Sequence, residues 1–323
     1  MDARSSLLHA RRFKAAEWAF WCLAFAAPAL LPSHALMLNE MAIVALFAVS
    51  LDLILGYSGI VSLGHAAFLG FGAYSAALFA KFILPDPLLG LCVGVGASLV
   101  LGYLCSFSIM RGSDLTRLMV TLGTALILLE LANKFGDITG GSDGLQGVVM
   151  APLFGRFEFD LMGQVAAWYS IGVLFVLFVL MRRLVHSPLG ASLMAVRDNA
   201  LRARAIGIHV NGRLSLIYTL AAGVAGAAGA LLAQTTGFAS LDVFAMDRSA
   251  DVMLMLVMGG VGWLYGGVVG AVLFKLMYDV IANITPQYWT FWIGLFLVVL
   301  MRVGRERLVR PWTWFGASRK EQA

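Results

Sequence analysis

The sequence predicts an all-α membrane protein that crosses the bilayer about ten times. Of its 323 residues, 60% are hydrophobic and only 13% are charged, whereas soluble domains contain about 45–50% apolar and about 25% charged residues. The apolar residues form long runs without the alternation of half-buried strands. Backbone N–H and C=O groups in hydrocarbon must be paired inside the protein, so these runs are expected to be helices.

About ten apolar segments approach the length of roughly 20 residues that is needed to span the hydrocarbon. They cover residues 18–38, 41–57, 66–84, 88–110, 118–134, 165–181, 214–234, 250–264, 267–284 and 289–303. The segment 250–264 and its successor are short or interrupted by glycine. We therefore expect a single transmembrane domain over residues 1–323 in which some helices are short or broken.

The positions of Lys and Arg predict the orientation, because cytoplasmic loops are enriched in basic residues. With both termini cytoplasmic, 18 of the 23 basic residues lie on the cytoplasmic side. This orientation places an N-terminal segment (1–17), a loop with six arginines (182–213) and a C-terminal tail (304–323) inside. The glycine-rich and acidic loop 135–164 would then be periplasmic.

The first apolar segment has a second interpretation as a signal peptide, since a basic stretch precedes the apolar run from Trp18 to Leu31 and the small-residue pattern Ser33-His34-Ala35 follows that run. Removing this segment would leave an odd number of crossings, which does not fit the distribution of basic residues. We therefore expect the segment to be retained as a helix.

The sequence gives no indication of a catalytic, metal-binding or nucleotide-binding site. Its five His and three Cys are scattered, and HExxH, GxSxG, CxxC and Walker-type motifs are missing. The basic tracts flank apolar segments, as they do at a membrane surface, so nucleic acid is not an expected partner. We expect a chain that is not an enzyme and holds no cofactor or metal. Any ATP would have to be bound by another chain.

The arginine-rich loop 182–213 predicts one short amphipathic helix. Apolar residues recur in it at steps of three and four, namely Leu189, Leu193, Val196, Ala200 and Ala203. Ser187 and Pro188 suit its start, and Gly207 suits its end. Periodicity alone leaves two interpretations open, a docking helix for a cytoplasmic partner and an interfacial helix that lies against lipid headgroups.

Two stretches around residues 56–73 and 259–271 are dense in glycine. Small residues allow either close helix packing, which is the simpler interpretation, or a broken helix that lines a translocation path. The candidates for such a path or break are Ser58, Gly59, Ser62, Gly64, His65, Gly259, Gly260 and Gly262.

Four acidic residues lie within apolar segments, namely Asp52, Glu130, Asp251 and Asp279. An acid at the centre of an isolated helix costs about 2.5–3.5 kcal/mol on insertion scales. Asp52 and Asp279 are expected to lie deepest, and for them an inter-helix hydrogen bond or an interfacial position is expected in preference to a proton or ion relay.

Four motifs, in this order, resemble the LivM-like permease subunits of branched-chain amino acid ABC importers. They are Gly56-Tyr57-Ser58-Gly59 with Ser62-Leu63-Gly64-His65-Ala66-Ala67-Phe68, Thr139-Gly140-Gly141-Ser142-Asp143-Gly144-Leu145, Arg197-Asp198-Asn199 with Ala205-Ile206-Gly207-Ile208, and the glycine-dense stretch 259–271. The resemblance covers residues 39–311, nearly the whole chain.

The resemblance implies a non-catalytic permease subunit of the bacterial inner membrane that forms a heterodimer with a second, homologous permease. Two cytoplasmic ATPase subunits would bind ATP and Mg²⁺, and a periplasmic binding protein would deliver the substrate. The substrate would be a branched-chain or other hydrophobic amino acid, with urea, amides or aromatic acids as the alternative. An ion-coupled secondary transporter is the rival class, since it shares the multispan topology.

The resemblance also implies roles for two loops. The ATPase-coupling residues would be Pro188, Gly190, Leu193, Val196, Arg197, Asp198, Asn199, Ala203 and Gly207. The residues that face the binding protein would be Thr139, Gly140, Gly141, Asp143 and Gly144.

Overall fold

The computed structural model describes residues 14–110, 112, 114–160, 162–285, 287–288, 291–296 and 298. All regular secondary structure within these residues is helical, apart from two isolated bridges, Leu145 with Ala239 and Leu153 with Phe157. Six helices are long and apolar enough to cross a membrane, and two more are apolar but shorter. The predicted class, an all-α polytopic membrane protein, is thus confirmed for the described part of the chain.

The α-helices are numbered here in chain order. They are α1 (Ala15–Leu30), α2 (Ala35–Ser58), α3 (Ala66–Phe82), α4 (Pro87–Ile109), α5 (Asp114–Lys134), α6 (Gly136–Thr139), α7 (Gln164–Val185), α8 (Pro188–Asp198), α9 (Ala200–Ala205), α10 (Val210–Thr236), α11 (Met246–Gly259) and α12 (Leu264–Ile284). Short 3-10 helices cover Pro32–His34, Gly141–Asp143 and Leu241–Phe244.

Two predicted boundaries are corrected by the structure. The first two helices separate at Leu31, before a 3-10 turn that starts at Pro32, and not at residues 39–40. Hydropathy could not place this break, because the run is apolar on both sides. Proline places it, since proline lacks the N–H group that would continue the helix. The predicted segment 250–264 is α11, whose 14 residues extend over only about 21 Å.

The number of crossings and the sides of the termini stay predictions. The segment 289–303, the N-terminal segment 1–17 and the tail 304–323 lie largely or wholly outside the described residues. The chain forms two compact units, one up to Ala271 and one from Val272. The second unit contains the later turns of α12, and the site described below lies within the first unit.

The centre of the first unit is built on α10 and α2. Helix α10 packs against α2, α3 and α4, and α2 also packs against α7. Glycine permits this proximity: a Cβ atom on Gly229 would lie 1.8 Å from the carbonyl oxygen of Leu69, and one on Gly72 would lie 2.3 Å from that of Gly226. Lipid tails are as apolar as leucine, so close packing of small residues is a main source of helix association.

A buried polar network joins four helices at the end of the bundle that carries the loop 135–164. Ser170 donates to Oδ1 of Asn39 at 2.6 Å, and Nδ2 of Asn39 donates to Thr235 at 3.0 Å. Nearby, Nε2 of Gln234 donates to the carbonyl oxygen of Pro87 at 2.7 Å. These bonds fix the register of α2, α4, α7 and α10 with respect to one another.

We expect Gly229→Ala to destabilise the protein, because the added methyl group would overlap the backbone of α3. Overpacking of this kind typically costs about 1–3 kcal/mol in free energy of unfolding. Thermal unfolding of the purified protein in detergent measures the effect. The matched control is Gly96→Ala on α4, where a Cβ atom meets nothing within 4 Å. Equal midpoints for the two variants would contradict the packing described above.

Candidate functional site

The chain between α2 and α3 is not helical. Helix α2 ends at Ser58, and Gly59 closes it in a left-handed conformation with φ of 73°. The chain then runs without regular structure to Ala66, where α3 begins. The backbone N–H of Ala66 donates to Ser249 at the start of α11, at 2.9 Å. A hydrogen bond therefore connects the end of this break to a different helix.

The break turns back into the bundle, as the contacts of His65 show. Its Nε2 atom lies 2.8 Å from the hydroxyl of Ser50, and its ring stacks on Phe47 with centroids 5.3 Å apart. Ser50 and Phe47 are in the middle of α2, so α3 starts beside the midpoint of its neighbour. Ser62 and Gly64 are buried in the same segment, with Gly64 against the backbone of Thr121.

A second break separates α11 from α12. Gly260 and Gly262 have φ values of 114° and 79°, which side chains other than glycine rarely adopt. A Cβ atom on Gly259 would lie 1.7 Å from the carbonyl oxygen of Gly266. The end of α11 and the start of α12 therefore form a tight antiparallel hairpin.

Asp52 connects this second break to the C-terminal part of α2. Its side chain is fully buried, and Oδ1 accepts the backbone N–H of Gly262 at 2.7 Å. A Cβ atom on Gly56, one turn further along, would lie 2.2 Å from that oxygen and 2.5 Å from the nitrogen of Gly262. Only glycine fits there. Of the four acids in apolar segments, Asp52 makes the expected inter-helix hydrogen bond, whereas Glu130 and Asp279 are exposed and Asp251 is half-buried.

The arginine-rich loop contains two helices, and the prediction of one continuous helix is wrong. Asn199 is extended, with φ of −161° and ψ of 100°, and separates α8 from α9. Its Oδ1 atom accepts the backbone N–H of Arg202 at 2.9 Å and so caps α9. Asparagine favours such caps because its side chain competes with the helical backbone for hydrogen bonds. Gly207 follows α9 with φ of 87°, at the predicted end.

One face of this loop is anchored to the membrane helices and the other is exposed. The anchored residues are buried, and they are Gly190, Leu193, Val196 and Ala203. Pro188 starts α8 on the exposed surface. Leu201 and Ile206 are 77% and 70% exposed, although both are strongly apolar.

Arg197 extends from α8 to the end of α2. Its Nη1 atom donates to the carbonyl oxygen of Gly56 at 2.6 Å, and its Nη2 atom lies 3.2 Å from Oδ1 of Asp198. The added Cβ atom on Gly59 would lie 2.9 Å from its Cγ atom, and one on Gly262 would lie 3.5 Å from its Nη1 atom. The arginine therefore touches both breaks at once.

Asp52, Gly56, Arg197 and Gly262 together form what we call the three-way junction. The sequence picked out the region around Gly56, the stretch 259–271 and the arginine-rich loop separately, and the structure brings them into contact. No single motif indicated this contact, because the three segments are far apart in the chain. The sequence predicted an inter-helix hydrogen bond for Asp52 but did not indicate Gly262 as its partner, and it did not indicate the inward direction of Arg197.

The loop 135–164 lies at the opposite end of α10. Thr139 donates to the carbonyl oxygen of Phe135 at 2.9 Å, and the glycines at 140, 141 and 144 are left-handed. Leu145 pairs with Ala239 through two backbone hydrogen bonds of 2.7 and 3.2 Å. Asp143 is exposed, so its carboxylate is available to a soluble partner.

Two clefts among the described residues lie between membrane helices, and none of the path candidates lines either of them. One, of about 470 Å³, lies between α4 and α10 and includes Ser106, Ser215 and Thr219. The other, of about 750 Å³, is apolar and lies between α4 and α7. No group of three His, Cys, Asp or Glu side chains that could hold a metal occurs in the part of the chain that the structure describes.

The multispan helical fold, the two breaks and the anchored arginine-rich loop define a membrane permease component. Residues 34–301 match the family described as branched-chain amino acid transport system / permease component, and the chain belongs to this family. It is a multi-pass protein of the inner membrane.

Three relatives carry the same description. The high-affinity branched-chain amino acid transport system permease protein LivM of Escherichia coli is 28% identical over 312 residues, which cover 86% of this chain and 71% of the relative. The protein of the same name in Salmonella typhimurium is 29% identical, and the alignment covers 83% of this chain and 68% of the relative. The probable branched-chain amino acid transport permease protein LivM of Methanocaldococcus jannaschii is 21% identical, and the alignment covers 72% of this chain and 77% of the relative. No solved structure matches the chain.

We expect Asp52→Ala to lower the free energy of unfolding by about 1–3 kcal/mol, because it leaves the buried N–H of Gly262 without an acceptor. Asp52→Asn keeps an acceptor oxygen and should therefore lower the free energy of unfolding by less. Unfolding midpoints in detergent measure both variants. The control is Asp279→Ala, which removes an exposed acid and should change the midpoint little. An Asp52→Ala midpoint as high as that of the control would refute the role of this bond.

Proposed function

We propose that this chain is one permease subunit of an ATP-binding cassette importer. A second, homologous permease would complete the path, and two cytoplasmic ATPases would bind ATP and Mg²⁺. A periplasmic binding protein would deliver the substrate. Family membership supports the permease class, while the partners and the energy source are the proposal.

The observation that carries the proposal is the two-sided loop formed by α8 and α9. Its inner face is buried against the membrane helices, whereas Leu201 and Ile206 stand exposed beside Arg202 and Arg204. Exposed apolar side chains on a rigidly held element are typical of a protein contact. The neighbouring arginines suit a partner surface that carries acids. A soluble ATPase would supply such a surface.

The orientation is part of the proposal. The loop 182–213 would be cytoplasmic, and the loop 135–164 would be periplasmic, where exposed Asp143 faces the binding protein. The single-domain organisation over residues 1–323, with cytoplasmic segments 1–17 and 304–323, completes it. In this arrangement the two loops lie at opposite ends of α10, as an importer that receives substrate on one side and energy on the other requires.

The substrate class we propose is a branched-chain or other hydrophobic amino acid. The names of the three relatives support it, since each describes branched-chain amino acid transport. Urea, amides or aromatic acids are the alternative. Uptake assays with radiolabelled leucine, valine, urea and phenylalanine in the assembled importer distinguish these substrates.

The purified chain alone, reconstituted in liposomes, should not accumulate leucine. The driving energy would enter through the ATPases, so neither a proton nor a sodium gradient should produce uptake. Addition of the second permease, the ATPases, the binding protein and ATP should start accumulation. Gradient-driven accumulation by the single chain would overturn the proposal in favour of an ion-coupled secondary transporter.

Leu201→Glu should release the ATPases, because it places a charge in the apolar part of the proposed contact. Truncating or charging a central apolar contact typically costs about 2 kcal/mol or more of binding free energy. Co-purification of the ATPases with the tagged permease measures the loss. The matched control is Val149→Glu in the loop 135–164, also strongly exposed, which should keep the ATPases bound. Unchanged co-purification of Leu201→Glu would favour a loop that only rests on lipid headgroups.

A further inference from the structure

We propose that Arg197 is the positioning residue that transmits movement of the arginine-rich loop to the hairpin of α11 and α12. This inference rests on the proposed function, since it assigns a route by which the ATPases would act on the membrane helices. The family resemblance implies that the loop, including Arg197, couples to the ATPases, but it does not say which side chain passes a movement of the loop to the membrane helices. The inference is carried by the contacts of the three-way junction.

The Arg197 side chain points towards the membrane helices. Arg197 lies next to the exposed part of the loop, yet its guanidinium points inwards and donates to the carbonyl oxygen of Gly56 at 2.6 Å. The side chain is 39% exposed, so the remainder is covered by the protein. An arginine that served only to attract a partner would extend into water, where solvation is best.

The carbonyl oxygen of Gly56, which accepts this hydrogen bond, is well placed to hold a cation. Gly56 lies in the last turn of α2, where carbonyl groups lack a full set of helical partners. A cation at this position satisfies such a carbonyl and is stabilised by the negative end of the helix dipole. A charge-assisted bond of this kind is shorter and about twice as strong as a neutral one. The loop is therefore held to α2 by a charge-assisted hydrogen bond in addition to its buried apolar face.

Asp52 connects α2 to the hairpin of α11 and α12. The backbone of Gly56 is in contact with Asp52, which accepts the N–H of Gly262 at 2.7 Å. Gly262 lies in the break, where the absence of regular helical hydrogen bonds makes the backbone easier to rotate than the helices on either side. Arg197 thus connects a displacement of α8 to a hinge in the membrane helices.

Rigid packing transmits the displacement beyond the hinge. The hairpin has no free space, since added Cβ atoms on Gly266 and Gly270 would lie 2.2 Å and 1.9 Å from the carbonyl oxygens of Gly260 and Met255. A closely packed pair of helices moves as one body, because small gaps cost contact energy immediately. Movement of the break would therefore displace the end of α11 and the first turns of α12 together.

The deciding experiment measures uptake and ATP hydrolysis together in proteoliposomes that contain the assembled importer. In Arg197→Ala we expect the ATPases to co-purify and ATP hydrolysis to stay within about twofold of the unmodified protein. Leucine uptake per ATP hydrolysed should fall by at least about tenfold, within the range of about 5–150-fold typical of coupling between sites. In Arg197→Lys a cation still reaches towards Gly56, so the ratio should recover in part.

The matched control is Arg248→Ala. Arg248 also makes an ion pair, at 2.7 Å with Asp242, but that pair lies within one local segment and joins no distant elements. Its removal should leave the transport ratio unchanged. An unchanged ratio in Arg197→Ala would overturn the inference. Loss of ATPase co-purification in Arg197→Ala would also overturn it, because Arg197 would then be a docking residue.

A second measurement needs no partner and remains informative for a variant of low stability. Spin labels at positions 201 and 261, both exposed, report the distance between the loop and the break in the full chain in nanodiscs, with Cys22, Cys92 and Cys105 replaced by Ser. We expect one narrow distance distribution in the otherwise unmodified protein and a broad one with Arg197→Ala. Equal widths would contradict the role of Arg197 in holding the loop to the break, which we call the clamp.

The two measurements separate the inference from the proposed function. If the unmodified importer shows no ATP-dependent uptake, the proposed function fails, and the spin-label distances still decide whether Arg197 holds the loop to the break. If the unmodified importer works and Arg197→Ala transports equally well, the clamp fails while the proposed function stands.

Discussion

The hydrogen bond from the backbone N–H of Gly262 to the carboxyl oxygen of Asp52 is the contact on which the rest of the site depends. A non-helical backbone has polar groups without helical partners, and such a group is costly when it is buried away from water without a hydrogen bond. The break between α11 and α12 therefore needs an internal acceptor, and Asp52 supplies it. The bond from Ala66 to Ser249 meets the same requirement at the break between α2 and α3.

This requirement explains why glycine surrounds the two breaks. A carboxyl group can reach the backbone of another helix only if the helices approach closely, and Gly56 makes that approach possible. The same proximity brings the carbonyl oxygen of Gly56 within reach of Arg197. A local constraint on backbone pairing thus produces a junction between the membrane helices and the loop that we propose contacts the ATPases.

Much of the helical framework could be predicted from the sequence, because a span is defined by the length of an apolar run and needs no knowledge of its neighbours. Boundaries were less predictable where the run was continuous, as at Pro32, or where a local cap competed with periodicity, as at Asn199. The burial of Leu193 and Val196 follows their helical spacing within α8. Ala200 is exposed because the break at Asn199 changes the phase of the repeat.

The sequence by itself determined the solvent of this protein, its helical class, its likeness to a permease family and the residues around which function was sought. Those properties depend on composition, run length and short motifs, which are local. Only the tertiary structure decided that Asp52, Gly56, Arg197 and Gly262 meet, and that Leu201 and Ile206 are left for a partner. Contacts between segments that are more than a hundred residues apart depend on how helices pack, and the packing is set by the whole bundle.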